Sequence, residues 1–575
     1  MLDETARFLA FSFAAADVLV EVDRQGKVSF VAGAVRGILG ISDSALLGKP
    51  LGDLFTKSDS GILALQLADL GLGKRQGPTM LHLANPPIDA SPEATMVQLH
   101  ACRLPHRADH VAITIGRVPA MMAAAHMKRQ RDKSTGMLSV DDFADVAGGH
   151  VASARQGDNP LTLTTVDLPG LEQLTAELPE SMAKSLMDRI GTTLRAASMD
   201  GDSAGRLGPG RFGVVHEAGK APEAITNTLN ALARDMNAPG LKASVQSMSL
   251  ASTGLQPEDA IRAVRYSINR LANEDDGAMM GGLAESFDQM VQDTLSRIAE
   301  FSDRISKDEF RLVYQPIVNL SDRSLHHYEA LVRFNGDSSP FETIQFAEET
   351  GIIGTMDLAV VDRVIVILRG LAAGAGTSIA ANLSGRSLAS DLFVRCLMDR
   401  LRAARPIAKH LLVEVTESAA IKDLDRANNI LQDIRKLGFT VCLDDIGAGA
   451  AGFDYVHALQ ADAGKIDGRY IKKITESKRD SAMVYAMANL FRRLDMFTIA
   501  EFVENEDQAA LLQSMKIECG QGWLYGKPLD SPTYVKPKMP GALVQPAAPV
   551  AAVAPHQKTI TKAAPLMKQI YGERR

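Results

Sequence analysis

Tyr328-Glu329-Ala330-Leu331-Val332-Arg333 opens a series of six short apolar runs, each carrying a side chain able to bind a hard cation. The others are Ala380-Ala381-Asn382-Leu383-Ser384, Leu411-Leu412-Val413-Glu414-Val415-Thr416-Glu417, Val441-Cys442-Leu443-Asp444-Asp445, Ala463-Gly464-Lys465-Ile466-Asp467 and Thr498-Ile499-Ala500-Glu501. Helix-compatible segments separate them, so the chain from Phe310 onward predicts an α/β domain of mainly parallel strands. Candidate strands are Leu312–Val318, His327–Phe334, Ser378–Asn382, Leu411–Val415, Thr440–Asp444, Ala463–Ile466, Thr498–Glu501 and Gly520–Tyr525, eight in all. That number predicts a TIM-like (β/α)8 barrel, which gathers the ends of its strands on one face. Five carboxylates brought together there (Glu329, Glu414, Asp444, Asp445, Glu501) would repel one another strongly. Two divalent cations plus Lys465 balance five negative charges, and that balance predicts a two-metal hydrolytic site.

A chain of 575 residues is too long for one core and predicts an α/β multidomain protein. A hydrophobic content of 46%, a charged content of 23% and a formal charge of −7 argue against a surface built to coat nucleic acid. Cys102, Cys396, Cys442 and Cys519 form no Cys-x-x-Cys pair, which argues against zinc or a disulfide framework and fits a reducing compartment. No signal-peptide pattern and no membrane-length apolar run are present, so the expected location is cytoplasmic, with no membrane span. The histidines show no ligand spacing; His326-His327 reads as an exposed turn, and Tyr328 and Trp523 as packing residues.

Residues 10–118 read as a small α+β unit. Val18–Val22 and Val28–Val31 alternate like strands around an Asp23–Gly26 turn, and Ser42 or Asp43 is placed to cap a helix. Ala16 through Phe55, with Leu46-Leu47-Gly48-Lys49-Pro50-Leu51-Gly52-Asp53-Leu54-Phe55, resembles a PAS domain, which implies a sensor or dimerisation module. Residues 119–135 predict a helical linker and 286–308 a second one. Helical linkers point to a homodimer and signal transfer, with plain spacing as the alternative. The Ala-, Pro- and Lys-containing segment 538–575 predicts a disordered tail.

Residues 309–537 resemble an EAL domain, the barrel family that hydrolyses the second messenger cyclic di-GMP. Tyr314-Gln315-Pro316-Ile317-Val318, Glu329-Ala330-Leu331, Asn382-Leu383-Ser384 and Glu414-Val415-Thr416-Glu417 carry the likeness in family order. Asp444-Asp445, Lys465-Ile466-Asp467, Ala500-Glu501 and Gln521-Gly522-Trp523-Leu524-Tyr525-Gly526-Lys527-Pro528 complete it. The resemblance implies that Glu329, Asn382, Glu414 and Asp444 ligate one Mg²⁺ or Mn²⁺, and that Asp444, Asp445 and Glu501 hold the second. It implies that Lys465 and Glu501 activate water, that Gln315, Arg333 and Gln521 contact the dinucleotide, and that Glu417 supports a loop. The reaction would open the ring to linear pGpG by in-line displacement. Two departures favour the alternative, a catalytically silent receptor or interaction scaffold. Ile446-Gly447-Ala448-Gly449-Ala450-Ala451-Gly452 lacks the family's hydroxyls and aromatics, and Phe502 replaces a glycine.

Residues 136–285 resemble a GGDEF domain, the fold that makes cyclic di-GMP, at Arg206-Leu207-Gly208-Pro209-Gly210-Arg211-Phe212-Gly213. Gly210 and Arg211 stand where the family has acidic residues, leaving Asp167 as the remaining metal aspartate, and Met199 replaces the arginine of the inhibitory Arg-x-x-Asp. The resemblance therefore implies a degenerate domain without cyclase activity. Its candidate roles are structural, or the binding of GTP as an effector with Arg211 reading phosphate.

Overall fold

The computed structural model describes residues 16–536 except 88–90, 155–160, 219–221, 236–240, 251–256, 274–286, 335–338, 372–375, 417–420, 422 and 448–451. The expected tail at 538–575 and loop residue Glu417 therefore lie outside the described residues. The chain divides into two compact units, one running to Phe310 with Phe334–Met356 added, the other comprising Arg311–Arg333 and the chain from Asp357. Among the described residues, no helix is long and apolar enough to cross a membrane.

The first unit contains two sheets. β1 (Val18–Val22), β2 (Val28–Gly33), β3 (Arg75–His82), β4 (Met96–Cys102) and β5 (Val111–Arg117) form an antiparallel sheet in the order β2-β1-β5-β4-β3. Val18, Val20 and Val22 are buried on one face, as period-two alternation requires. Asp23 closes the β1–β2 turn by accepting from the Gln25 and Lys27 amides, and Gly26 takes a φ of 75° there. β6 (Leu161–Asp167), β7 (Ala204–Gly208), β8 (Arg211–Glu217) and β9 (Ser244–Ser249) form the second sheet, ordered β7-β8-β6-β9.

The linker expected as one helix over 119–135 is shorter. Its helix spans Ala120–Met127, and beyond it Asp132 organises a turn, its Oδ1 accepting from the amides and hydroxyls of both Ser134 and Thr135. Beside it, a buried ionic chain joins the two sheets. Arg195, on the helix Glu180–Ala197, reaches Asp59 at 3.2 Å, and Asp59 also accepts from His82 at 2.9 Å. Burial pushes the Asp59 carboxyl up, but the His82 hydrogen bond and Arg195 together hold it below its ordinary value. On the other side lies Asp202, bound by His126 at 3.0 Å, Arg129 at 3.1 Å and Arg131. Arg195→Met leaves the Asp59 carboxylate without its guanidinium partner in a dry site. The expected loss is about 3–5 kcal/mol of unfolding free energy. A urea titration checks it, and an unchanged midpoint would sink the reading.

In the β7–β8 hairpin, Gly210 has a φ of 64°, and a Cβ there would meet the Leu168 carbonyl oxygen at 2.6 Å. Arg211 is buried, with its guanidinium 3.1 Å from Asp167 and donating to the Leu271 carbonyl. Asp167 thus carries a fixed guanidinium as its counter-charge.

The second unit is built on a closed eight-stranded barrel. Its strands are β10 (Phe310–Asn319), β11 (Leu325–Phe334), β12 (Ile379–Ser384), β13 (Leu411–Thr416), β14 (Thr440–Ile446), β15 (Ala463–Ile466), β16 (Phe497–Ala500) and β17 (Cys519–Gln521). From β11 to β17 the pairs are parallel, whereas β10 pairs antiparallel with β17. The expected uniform β/α alternation therefore fails at the first strand. The Leu320–Ser324 connection is too short to cross over to a parallel neighbour. Ile317, Cys442, Ala463, Ile499 and Cys519 form an apolar core cluster on the barrel strands.

Candidate active site

Each polar group in the barrel owes its place to its strand. On β11, Glu329 shares a face with Leu331 and Arg333, because alternate residues point the same way. Parallel register sets Asn382 beside Glu414 and Thr416 beside Asp444. Asp444 and Asp445 are adjacent, so a regular strand would send them to opposite faces. The ladder slips between Leu443 and Ile446, and Asp445 takes a left-handed φ of 55°. That irregularity brings both carboxylates to one end of the barrel.

Lys465 is the centre of the cluster and is 0% exposed. Its Nζ lies 2.9 Å from Glu501, 3.0 Å from Asp444, 3.2 Å from Glu329 and 3.4 Å from Glu414. Burial opposes charge on this amine, but Asp444, Glu329, Glu414 and Glu501 hold it well above its ordinary value. One ammonium does not balance so many acids. Burial, reinforced by neighbouring carboxylates and resisted by Lys465, pushes Glu414 up to about 7 and Glu501 up to about 8. Asp444 and Asp445 rise to about 6, again chiefly through burial. Glu329 goes the other way: burial raises it, yet Lys465 and hydrogen bonds from Gln521 and Asn382 outweigh that.

The remaining deficit suits a cation. Glu329, Glu414 and Asp444 each offer an oxygen within 4.8 Å of the others, and so do Asp444, Asp445 and Glu501. Asp444 belongs to both groups. Asn382 donates to Glu329 at 2.7 Å, leaving its own Oδ1 buried without a hydrogen-bond partner, and Glu414 Oε1 and Gln521 Oε1 are stranded likewise. Unsatisfied acceptors around an acidic centre fit hard divalent ions, which take oxygen ligands.

Raised carboxylate pKa values have a signed consequence. The cation-free fold binds protons that the unfolded chain releases at lower pH, so this contribution to stability is present in acid and lost as pH rises through about 6 to 8. A divalent ion replaces those protons. The thermal midpoint gap between Mg²⁺-loaded and EDTA-treated protein is expected to widen across that window. Differential scanning fluorimetry measures it, and a gap independent of pH would contradict this account.

Most sequence-predicted site residues converge. Gln521 donates to Glu329 at 2.7 Å and lies 3.2 Å from Gln315, while Arg333 donates to its neighbour's carbonyl, Val332 O. Asp467 turns aside to cap the helix Gly468–Ile471. Phe502 has a φ of 52° and is half exposed, its ring against Gly468 and 4.6 Å from Lys472 Nζ. It does not displace Glu501 from Lys465. Gly447 is held by a hydrogen bond from Tyr470, whereas 448–451, most of the altered loop, lies outside the described residues.

Two expectations are corrected. Trp523 does not pack inside; it is 62% exposed, with Lys527 4.4 Å over its ring. His326-His327 is no exposed turn, because β11 begins at Leu325, two residues before the strand start expected at His327, and carries both residues into the strand. His327 is fully buried, and its pKa falls to about 3 through burial, with Lys465 adding to the effect. The available signal was strand alternation, since position 327 shares the inward face of Glu329.

Residues 298–528 match the family described as EAL domain. Cyclic di-GMP phosphodiesterase NbdA of Pseudomonas aeruginosa is 27% identical over 424 residues, covering 71% of this chain and 54% of that protein. The bifunctional diguanylate cyclase/cyclic di-GMP phosphodiesterase MucR of the same species is 26% identical, covering 76% and 65%. Cyclic di-GMP phosphodiesterase PdeB of Shewanella oneidensis is 30% identical, covering 40% and 28%. The chain thus spans less than two thirds of the length of each of these relatives. Among solved structures, the PaMucR phosphodiesterase in complex with c-di-GMP aligns at 28% identity over 41% of this chain and 97% of that one, with a TM-score of 0.38.

Proposed function

We propose that the chain hydrolyses cyclic di-GMP to linear pGpG at the barrel's carboxylate cluster. The observation that carries this reading is the pair of acidic groups sharing Asp444 around a buried lysine. Glu329, Asn382, Glu414 and Asp444 would hold one Mg²⁺ or Mn²⁺, and Asp444, Asp445 and Glu501 the other. Such ions, when bound, polarise a phosphodiester and make water a nucleophile at neutral pH. Lys465 fixes the carboxylates that would hold the ions. Glu501, whose affinity for a proton burial enhances, is suited to take one from the attacking water. Gln521 and Gln315 would orient the dinucleotide, and Arg333 would grip a phosphate oxygen.

In this reading residues 10–118 are a PAS-like input domain and 136–285 a degenerate GGDEF-like domain. The five-stranded antiparallel sheet supports the first assignment. The Arg211–Asp167 pair supports absence of cyclase chemistry in the second, since the guanidinium occupies a metal aspartate. It also spends Arg211 on internal contacts, which disfavours that residue as a GTP-phosphate reader.

Glu329→Ala tests the assignment of Glu329 to the catalytic centre. It removes one proposed cation ligand together with the acceptor of Asn382, Lys465 and Gln521. Turnover is expected to fall by about 10³-fold, the scale of losing a principal electrostatic partner of the transition state. Chromatographic detection of pGpG measures it; undiminished turnover would discard the assignment of Glu329.

A further inference from the structure

Below the carboxylates, β11 buries an imidazole to which the proposed chemistry gives no task. His327 lies two residues before Glu329, so both side chains face the barrel interior. Its Nε2 lacks a hydrogen-bond partner and stands 3.6 Å from Glu414 Oε1, which lacks one too. Its Nδ1 lies 2.7 Å from His326 Nδ1, and the His326 ring rests against Phe497, with 5.3 Å between centroids.

The contact between the two Nδ1 atoms requires a single proton between them. Where His326 supplies it, the one proton of neutral His327 sits on Nε2 and points at Glu414. With Glu414 ionised, the form a bound cation would hold, the opposite assignment sets a ring lone pair against a carboxylate oxygen, a repulsive arrangement in a dry interior. A movement of about 0.5 Å brings donor and acceptor to hydrogen-bond distance. Glu414 Oε2 meanwhile faces Lys465 and the shared acidic centre.

We propose that His327 is a positioning residue for cation binding, donating its Nε2–H to Glu414 Oε1 and so presenting Oε2 to the ion, while His326 sets the tautomer. The inference rests on the phosphodiesterase reading for its role in turnover, but its geometry concerns cation binding alone. Outer partners of this kind orient metal-binding side chains, and losing one typically costs about 10–100-fold in affinity or activity.

The test compares Mn²⁺ binding by the full-length wild type, His327→Leu and His327→Gln, using calorimetry. Leucine fills the space without a donor; glutamine restores an N–H. Expected is Mn²⁺ affinity about 10–100-fold weaker in His327→Leu, with most of it recovered in His327→Gln. In turnover, kcat should fall with KM for cyclic di-GMP nearly unchanged. Equal Mn²⁺ affinity in wild type and His327→Leu overturns the proposal and leaves the enzyme reading standing. Mn²⁺ binding by wild type without turnover, with the Leu–Gln difference intact, does the reverse. Should His327→Leu fail to fold, the ¹⁵N shifts of wild-type His327 decide: a proton on Nε2 supports the proposal, and one on Nδ1 overturns it.

Discussion

Lys465→Met is expected to destabilise the cation-free protein by about 3–5 kcal/mol, the usual scale for removing one partner of a buried ion pair. Four carboxylates lie within 3.4 Å of this amine, and methionine preserves much of its volume while removing its charge. Packing is therefore largely kept and electrostatics removed. The acids respond by binding protons, so the defect should grow with pH. Divalent ions supply replacement charge, and Mg²⁺ should recover more stability in the variant than in wild type. Urea titrations with and without Mg²⁺ measure both effects. A change below about 1 kcal/mol, within the range of ordinary surface substitutions and exposed pairs, would mean that the ammonium does not hold the cluster together.

Asp444→Asn should damage the site more broadly than any other single ligand change. Asp444 alone belongs to both acidic groups among the described residues. The amide keeps the shape but removes a charge that both ions would share. Turnover is expected to drop by about 10³-fold or more, and two bound Mn²⁺ per wild-type chain to become at most one. Electron paramagnetic resonance reads this directly, because neighbouring Mn²⁺ ions couple through a shared carboxylate. Retention of a coupled pair in the variant would contradict the proposal that Asp444 serves both ions.

Much of this site was legible because its residues punctuate apolar strands. Asn382, Glu414, Asp444 and Lys465 fall on the successive strands β12 to β15, and Glu501 just beyond β16, as strand periodicity predicts. The antiparallel first strand was less obvious, although the short Leu320–Ser324 connection implies it. Asp445 could not be placed by alternation, because its position depends on a left-handed backbone turn. His327 was hidden by its neighbour: paired histidines resemble a polar turn until the inward facing of Glu329 is carried back two positions. The Asp59–Arg195 link is illegible in principle, since its partners are 136 residues apart and neither belongs to a local pattern.

The central claim is best tested by following cyclic di-GMP and pGpG by chromatography with purified full-length protein, first in EDTA and then with Mg²⁺ or Mn²⁺. The account predicts no conversion in EDTA and steady, stoichiometric pGpG release once either ion is added. Dinucleotide bound tightly but left intact in the presence of both ions would contradict it, and would make the barrel a receptor.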